Sequence, residues 1–205
     1  MNRRKRNDEG LGVILLDAAM AIVDGDGQEK FSLREVARRA GVSHTAPYNH
    51  FESKSHLLAE VALLGWEELD ASMNDAQQVA ADDAKSQLVA TGMGYILYAL
   101  RHPHRYRLMQ TPGLCDVLKD DKSGLQDQAI IRLRVAAGHL RKEAGHVEDS
   151  QALDADCLLA WSLVHGMVGL FLDANVEALS LDNLPLHRLL LEKFSTIWAK
   201  TADTP

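Results

Sequence analysis

Phe31-Ser-Leu-Arg-Glu-Val-Ala-Arg-Arg-Ala-Gly-Val-Ser-His-Thr-Ala-Pro-Tyr-Asn-His-Phe51 is the stretch from which the architecture of this chain is read. Ser32 followed three residues later by Glu35 has the form of a capping box. The hydroxyl accepts from a free first-turn amide, and the Glu reaches back to the cap. Leu33, Val36, Ala37 and Ala40 then recur at helical spacing, while Arg34, Glu35, Arg38 and Arg39 take the other face. Gly41 stands where a tight turn needs positive φ. Ser43 is the expected cap of a second short helix over His44–His50. Two short helices joined by a glycine-containing turn of three or four residues form a helix-turn-helix. The second helix carries His44, Thr45, Tyr48, Asn49 and His50, a run of hydrogen-bonding groups suited to phosphates and base edges in a major groove.

At these residues the chain resembles the DNA-binding end of tetracycline-repressor-type (TetR-family) regulators. The resemblance rests on Gly41-Val-Ser-His-Thr-Ala-Pro-Tyr-Asn-His-Phe51, on Lys54 and on Leu57-Leu58, and it covers about the first quarter of the chain. In that family a Tyr-x-x-Phe closes the recognition helix and a Lys opens the next; here these are Tyr48, Phe51 and Lys54. The resemblance implies an all-α fold: a three-helix head (residues 1–53) that binds DNA, and a helical-bundle regulatory and dimerisation domain (54–205).

Composition sets the bounds on function. With 205 residues, 46% hydrophobic and 25% charged, the chain has the make-up of a soluble globular protein with room for a sizeable core. The net charge of −7 argues superficially against a nucleic-acid partner. Its distribution removes the objection: residues 1–54 carry 9 Lys+Arg against 8 Asp+Glu, and the remainder 13 against 21. Cys115 and Cys157 make no disulfide framework, so a reducing cytoplasm is the expected compartment. Asn7, Asp8 and Glu9 interrupt any signal-like h-region after the basic run, and no stretch is expected to span a membrane.

In chain order, Arg3, Arg4, Lys5 and Arg6 read as a basic arm ahead of the first helix. Such an arm neutralises phosphates or enters a minor groove, or else is simply a solvated terminus. The first helix is expected over residues 8–23, with Leu11, Ile14, Leu15, Ala18, Ala19 and Ile22 inward and Asp24-Gly-Asp-Gly27 ending it. Phe31 and Phe51 are expected to anchor the head's small core. A long fourth helix, from Ser53-Lys54 to about Gln77, exceeds what the head can cover and reads as the lever between the two bodies. A fifth runs from about Asp83 to Arg101, with Gly92 and Gly94 small enough to admit a close helix contact or a ligand. Pro103 starts a short helix, residues 120–124 read as a loop, and a further helix over 125–144 ends at Gly145. Residues 154–175 are apolar on nearly every face, which calls for burial on all sides and hence a partner chain. With a last helix from Leu184-Pro185, they read as the pairing surface of a homodimer.

A second resemblance lies in Trp161-Ser-Leu-Val-His-Gly166 with His102-Pro103, which is similar to a C-terminal subclass of the same family marked by Trp-x-x-x-His-Gly. His165 lies one turn after Trp161 on the same face; the pair lines a pocket, or serves as packing. Trp66, Met93, Tyr95, Tyr98, Met109, Trp161 and Met167 are the candidate wall of a site for a small apolar or aromatic ligand, with His102 and His165 as polar anchors. Each of these residue types at helical spacing is also ordinary core. The nine His follow no zinc-ligand spacing; His102 and His104 would need His139, His146 or Cys115 beside them, and no metal site is expected. No catalytic motif and no Gly-rich phosphate loop is present, so neither catalysis nor a cofactor is expected. Cys157, within the most apolar segment, reads as an inert core thiol.

The function implied is a ligand-responsive homodimeric regulator on a palindromic double-stranded operator, by resemblance usually a repressor. The alternative is a dimeric DNA-binding regulator with no effector, its larger domain serving dimerisation or protein contacts alone. For the DNA, Ser32, Ser43, Thr45, Tyr48, His50 and Lys54 are the candidate phosphate-side residues. His44, Ala46, Pro47 and Asn49 are the candidates for base edges.

Overall fold

A computed structural model describes the backbone of residues 3–118, 124–173 and 184–201, and side chains within these except at 3–9, 125–126 and 197–201. Its helices are α1 (Arg3–Asp26), α2 (Leu33–Arg39), α3 (Ala46–His50), α4 (Lys54–Gln78), α5 (Ala84–Arg101), α6 (Pro103–Met109), α7 (Gly124–Glu143), α8 (Ser150–Asp173) and α9 (Leu184–Thr201), with single 3-10 turns at Gln28–Lys30 and Cys115–Val117. No strand occurs among the described residues, so the fold is all-α with a helix-turn-helix and a larger helical body. The expected loop at 120–124 lies largely outside the described residues.

The chain packs as two compact units, residues 1–66 with 102–124, and residues 67–101 with 125–205. The boundary therefore falls inside α4, after Trp66, and α6 belongs with the head although α5 precedes it. In the first unit α1 packs on α2, α3 and α6. Leu15, Ala19, Ile22 and Val23 of α1 are at most 1% exposed, and Phe31, Val36, Phe51 and Leu57 complete the same core. Each large side chain buried this completely contributes roughly 1.5–3 kcal/mol. Ile14, expected in that stripe, is instead half exposed. A bidentate ion pair from the buried Arg105 guanidinium on α6 to Asp24 near the end of α1 holds these two helices together.

The structure corrects the expected start of α1. The helix begins at Arg3, so the backbone of the basic run forms its first turns; the side chains of Arg3, Arg4, Lys5 and Arg6 lie outside the described residues.

In the second unit α5 packs on both α8 and α9. Gly94 permits its approach to the end of α4: a Cβ there would lie 2.5 Å from the Met73 Cα and 2.6 Å from the Ser72 carbonyl oxygen. The Ser72 hydroxyl donates to the Gly94 carbonyl at 2.9 Å, across the gap a side chain would fill. Leu88, Leu133, Ala137, Leu140, Cys157 and Ala160 form the core beside this contact. Burial raises the pKa of the Cys157 thiol and suppresses its thiolate.

α8 is the one described helix whose length and apolar composition approach membrane-spanning character. Over 18 residues its mean hydropathy is 1.6, enough by length and composition alone, a test that the core helix of a soluble protein also passes. Its Asp154 and Asp156 are paired with Arg134 and Arg141 of α7, while Leu158, Leu159 and Leu170 are exposed on this chain.

Candidate nucleic-acid interface and interior site

The head's surface is built by two short helices that cannot stand alone, since helices this short are unstable without packing. Ser32 caps α2 as its sequence requires, its hydroxyl accepting from the Glu35 amide at 3.2 Å. The reciprocal half of the capping box does not form. Glu35 instead accepts from Arg38 Nε and Nη2 at 2.7 and 2.6 Å and from Arg39 Nε at 3.1 Å. Bidentate guanidinium bonds to a carboxylate outcompete one neutral amide. Arg39 continues to Asp26 at 2.8 Å, joining α2 to the end of α1. Hydrogen bonds from Arg38, then Arg39, lower the Glu35 pKa to about 2.

Gly41 supplies the turn with φ 68°, a conformation that costs other residues a Cβ clash. The second helix then starts later than its sequence suggested. Ser43 is not its cap: the Ser43 and Thr45 hydroxyls bond each other at 3.1 Å, and α3 begins at Ala46. Ala46 and Pro47, expected at base edges, are both buried. The helix packs on α1 and α2, and the burial of these two residues removes them from the outer face. Ser32, Ser43, His44, Thr45, Tyr48 and Asn49 are exposed, and His50 is half-buried. Tyr48 is 60% exposed, an open aromatic that the core has not claimed. Lys54, in the first turn of α4, is exposed with its Nζ 5.8 Å from the centroid of the buried Phe31 ring. This cation–π contact orients the ammonium while leaving it accessible. Ser53, absent from the expected site, caps α4 by accepting from the His56 amide at 3.0 Å.

The second unit encloses a cavity of about 30 Å³ among α4, α5, α7, α8 and α9. Of the expected wall, Tyr95 and Trp161 line it. His165 stands beside both, its Nδ1 2.7 Å from the Tyr95 hydroxyl and its ring stacked on Trp161 at 6.0 Å and 28°. Burial lowers the His165 pKa, favouring the neutral ring. Met93, Tyr98 and Met167 belong to the same unit but not to this lining, whereas Trp66, His102 and Met109 belong to the first unit. Sequence reasoning did not name Thr91, Leu191, Phe194 or Ser195 for this wall, and they are part of it. The last helix reads from sequence as part of a pairing surface, whereas Leu191, Phe194 and Ser195 of α9 line this cavity. Among the described residues no three His, Cys, Asp or Glu side chains gather as a metal site.

These two arrangements have counterparts in known proteins. Residues 15–61 match the model of bacterial regulatory proteins of the tetR family, and residues 88–194 match that of the tetracyclin repressor-like C-terminal domain. Among solved structures the chain is similar to a protein with unknown function from Rhodococcus sp. RHA1, with TM-score 0.70 and 24% identity over 90% of this chain and 94% of that one. It is also similar to the TetR family transcriptional regulator PfmR from Thermus thermophilus, with TM-score 0.61 and 22% identity over 87% and 97%. RolR, solved in complex with resorcinol, matches with TM-score 0.61 and 16% identity over 98% and 97%. Likeness at these identities speaks to the fold. A search of curated proteins returned no match. With one family model over the helix-turn-helix and a second over more than half of the chain's length, this protein belongs to the tetR family of bacterial DNA-binding transcription regulators.

Proposed function

We propose that the protein acts in the cytoplasm as a homodimeric repressor, released from a near-palindromic operator by a small apolar or aromatic molecule. The observation that carries the DNA half is the division of α3 and its approach: Ala46 and Pro47 are buried while His44, Thr45, Tyr48 and Asn49 face outward. A rigid underside with an open hydrogen-bonding face is what reading a groove requires. His44 and Asn49 are the base-edge readers, Asn49 being suited to bidentate pairing with adenine. Ser32, Ser43, Thr45, Tyr48, His50 and Lys54 serve the phosphates, together with the basic run Arg3, Arg4, Lys5 and Arg6. Dimerisation is supported by the exposed Leu158, Leu159 and Leu170 of α8 and by Leu189 and Leu190 of α9.

The effector half rests on the Tyr95–Trp161–His165 cluster at the cavity. The Trp161, His165 and Gly166 signature supports membership of the Trp-x-x-x-His-Gly subclass, and the resorcinol complex of RolR shows a small aromatic bound by a protein of this fold. In this form of the chain the cavity is far smaller than an aromatic ring, so a ligand must open it. The same small volume, about 30 Å³, favours a second reading in which the body only dimerises and no effector exists.

DNA selected from a random pool, followed by affinity measurements across salt concentration, tests the assignment. Asn49→Ala should relax preference at one or two positions, by about 1–3 kcal/mol each. Lys54→Ala should weaken all sequences alike and shallow the salt slope by about one unit. Altered specificity from Lys54→Ala, with none from Asn49→Ala, reverses the roles.

A further inference from the structure

We propose that the interior cavity of the second unit selects neutral molecules that donate a hydrogen bond, an aromatic alcohol or phenol being the class its walls fit. This rests on the effector reading above and specifies its chemistry.

The argument follows the hydrogens of the wall. The Thr91 hydroxyl, 1% exposed, donates to the Gln87 carbonyl at 2.8 Å and accepts from Gln77 Nε2 at 2.9 Å. A hydroxyl has one hydrogen and two lone pairs, so Thr91 retains a single acceptor site and no donor. Ser195, also 1% exposed, donates to the Glu192 carbonyl at 3.0 Å and likewise keeps only acceptor capacity. The third wall hydroxyl, on Tyr95, lies 2.7 Å from His165 Nδ1 and donates to it when the neutral ring carries its proton on Nε2, the tautomer on which this selection depends. A ligand that brings another acceptor meets lone pairs; a ligand that brings a donor completes the wall's hydrogen bonding.

Charge is excluded by the same inventory. Among the described residues, the lining contains no Asp, Glu, Lys, Arg or His. The neighbouring Arg132 guanidinium is bidentate with Asp70 at 2.7 and 2.9 Å and also donates to Gln77 at 2.9 Å. A carboxylate or ammonium entering this space would be buried without a counter-charge, which is prohibitive in an apolar surrounding. The rest of the wall, including Leu88, Val164 and Phe194, is apolar. Trp161 meets Tyr95 edge to face at 6.3 Å and 60°, an arrangement that extends naturally to a third ring. Leu191 occupies the room beside Gly92, its methyls 3.0 and 3.2 Å from where a Cβ would stand. It is the side chain whose withdrawal enlarges the cavity.

Calorimetric titration of the full-length protein with phenol, fluorobenzene and benzoate separates the alternatives. Phenol and fluorobenzene match in size and differ in the donor; benzoate carries the charge. Phenol should bind about tenfold tighter than fluorobenzene, the order of one net hydrogen bond, and benzoate should not bind. Thr91→Val and Ser195→Ala should each move the phenol to fluorobenzene ratio toward one without weakening fluorobenzene. Leu191→Ala should strengthen binding of both neutral arenes. Fluorobenzene binding as tightly as phenol, benzoate binding more tightly than either, or a ratio untouched by both hydroxyl variants overturns donor selection while the effector site stands. Absence of binding by all three compounds, to the wild type and to Leu191→Ala alike, overturns the effector reading together with this proposal.

Discussion

The carboxylate of Glu35 accepts from two arginines, which gives the head one acid-sensitive contact. Its pKa, held at about 2 by Arg38 and then Arg39, lies below the ordinary 4.5. A depressed folded value means the unfolded chain takes up a proton first. The contribution of ionised Glu35 is therefore fully present above pH 4.5 and is lost as pH falls from there through about 2. A carbon-13 titration of the side-chain carboxyl should give a midpoint near 2, and Arg38→Gln should raise it toward 4.5. A native midpoint already near 4.5 would show that the two arginines do not hold the group. At this scale the sequence was legible where a rule had one reader and illegible where two competed. Ser32 had one local use and kept it, whereas Glu35 had Ser32 three residues behind it and Arg38 and Arg39 ahead. Ala46 and Pro47 are buried for another reason: they lie in the reading helix, but a helix of five residues needs a buried underside, and they are the residues able to form it.

Among the helices, α5 depends most visibly on a missing side chain. At Gly94 a Cβ would meet the backbone of Ser72 and Met73 at 2.5–2.8 Å, with no flexible group to yield. Gly94→Ala gains helix propensity of about 1 kcal/mol, but α4 and α5 must separate, and overpacking of this kind costs about 1–3 kcal/mol. The clash is with main chain, so the cost should prevail and the midpoint of denaturant unfolding should fall. Gly92→Ala should be milder, because the atoms it meets belong to the Leu191 side chain. Unchanged stability of Gly94→Ala would mean that the two helices do not approach this closely. Periodicity recovered these elements well: α5 was expected from Asp83 and begins at Ala84, and α9 begins at Leu184 as expected. The grouping of elements was not recoverable. α6 joins the first unit through Arg105 and Asp24, 81 residues apart, and no local pattern announces such a pair. The same holds for the interior cavity, whose Thr91 and Ser195 come from two helices and stand more than 100 residues apart in sequence.

For the whole molecule the open question is what covers the outer face of α8. Leu158, Leu159 and Leu170 are 67%, 52% and 56% exposed, and a Cβ at Gly166 or Gly169 would meet nothing within 4 Å. Large apolar groups flanking small ones, with open space above, suit close contact with another helix, and a second copy presents the same surface by symmetry. A stable pair needs about 800 Å² buried on each partner, which calls for α9 to contribute Leu189 and Leu190 alongside α8. Two identical heads related by a two-fold axis then demand a near-palindromic operator with half-site centres about 34–36 Å apart, or a multiple of that spacing. Such a dimer would also gain affinity, since the second head binds at high effective concentration once the first is docked. Gly166→Arg puts a long charged side chain where a partner helix should lie, while its Cβ meets no described atom within 4 Å, so the monomer fold should survive. Sedimentation should show the wild type as a dimer at micromolar concentration and the variant as a monomer. Operator affinity of the variant should fall by at least about 100-fold, with the helical circular dichroism unchanged. A wild type that sediments as a monomer, or a Gly166→Arg variant that remains dimeric and binds the operator normally, would move the pairing surface away from α8.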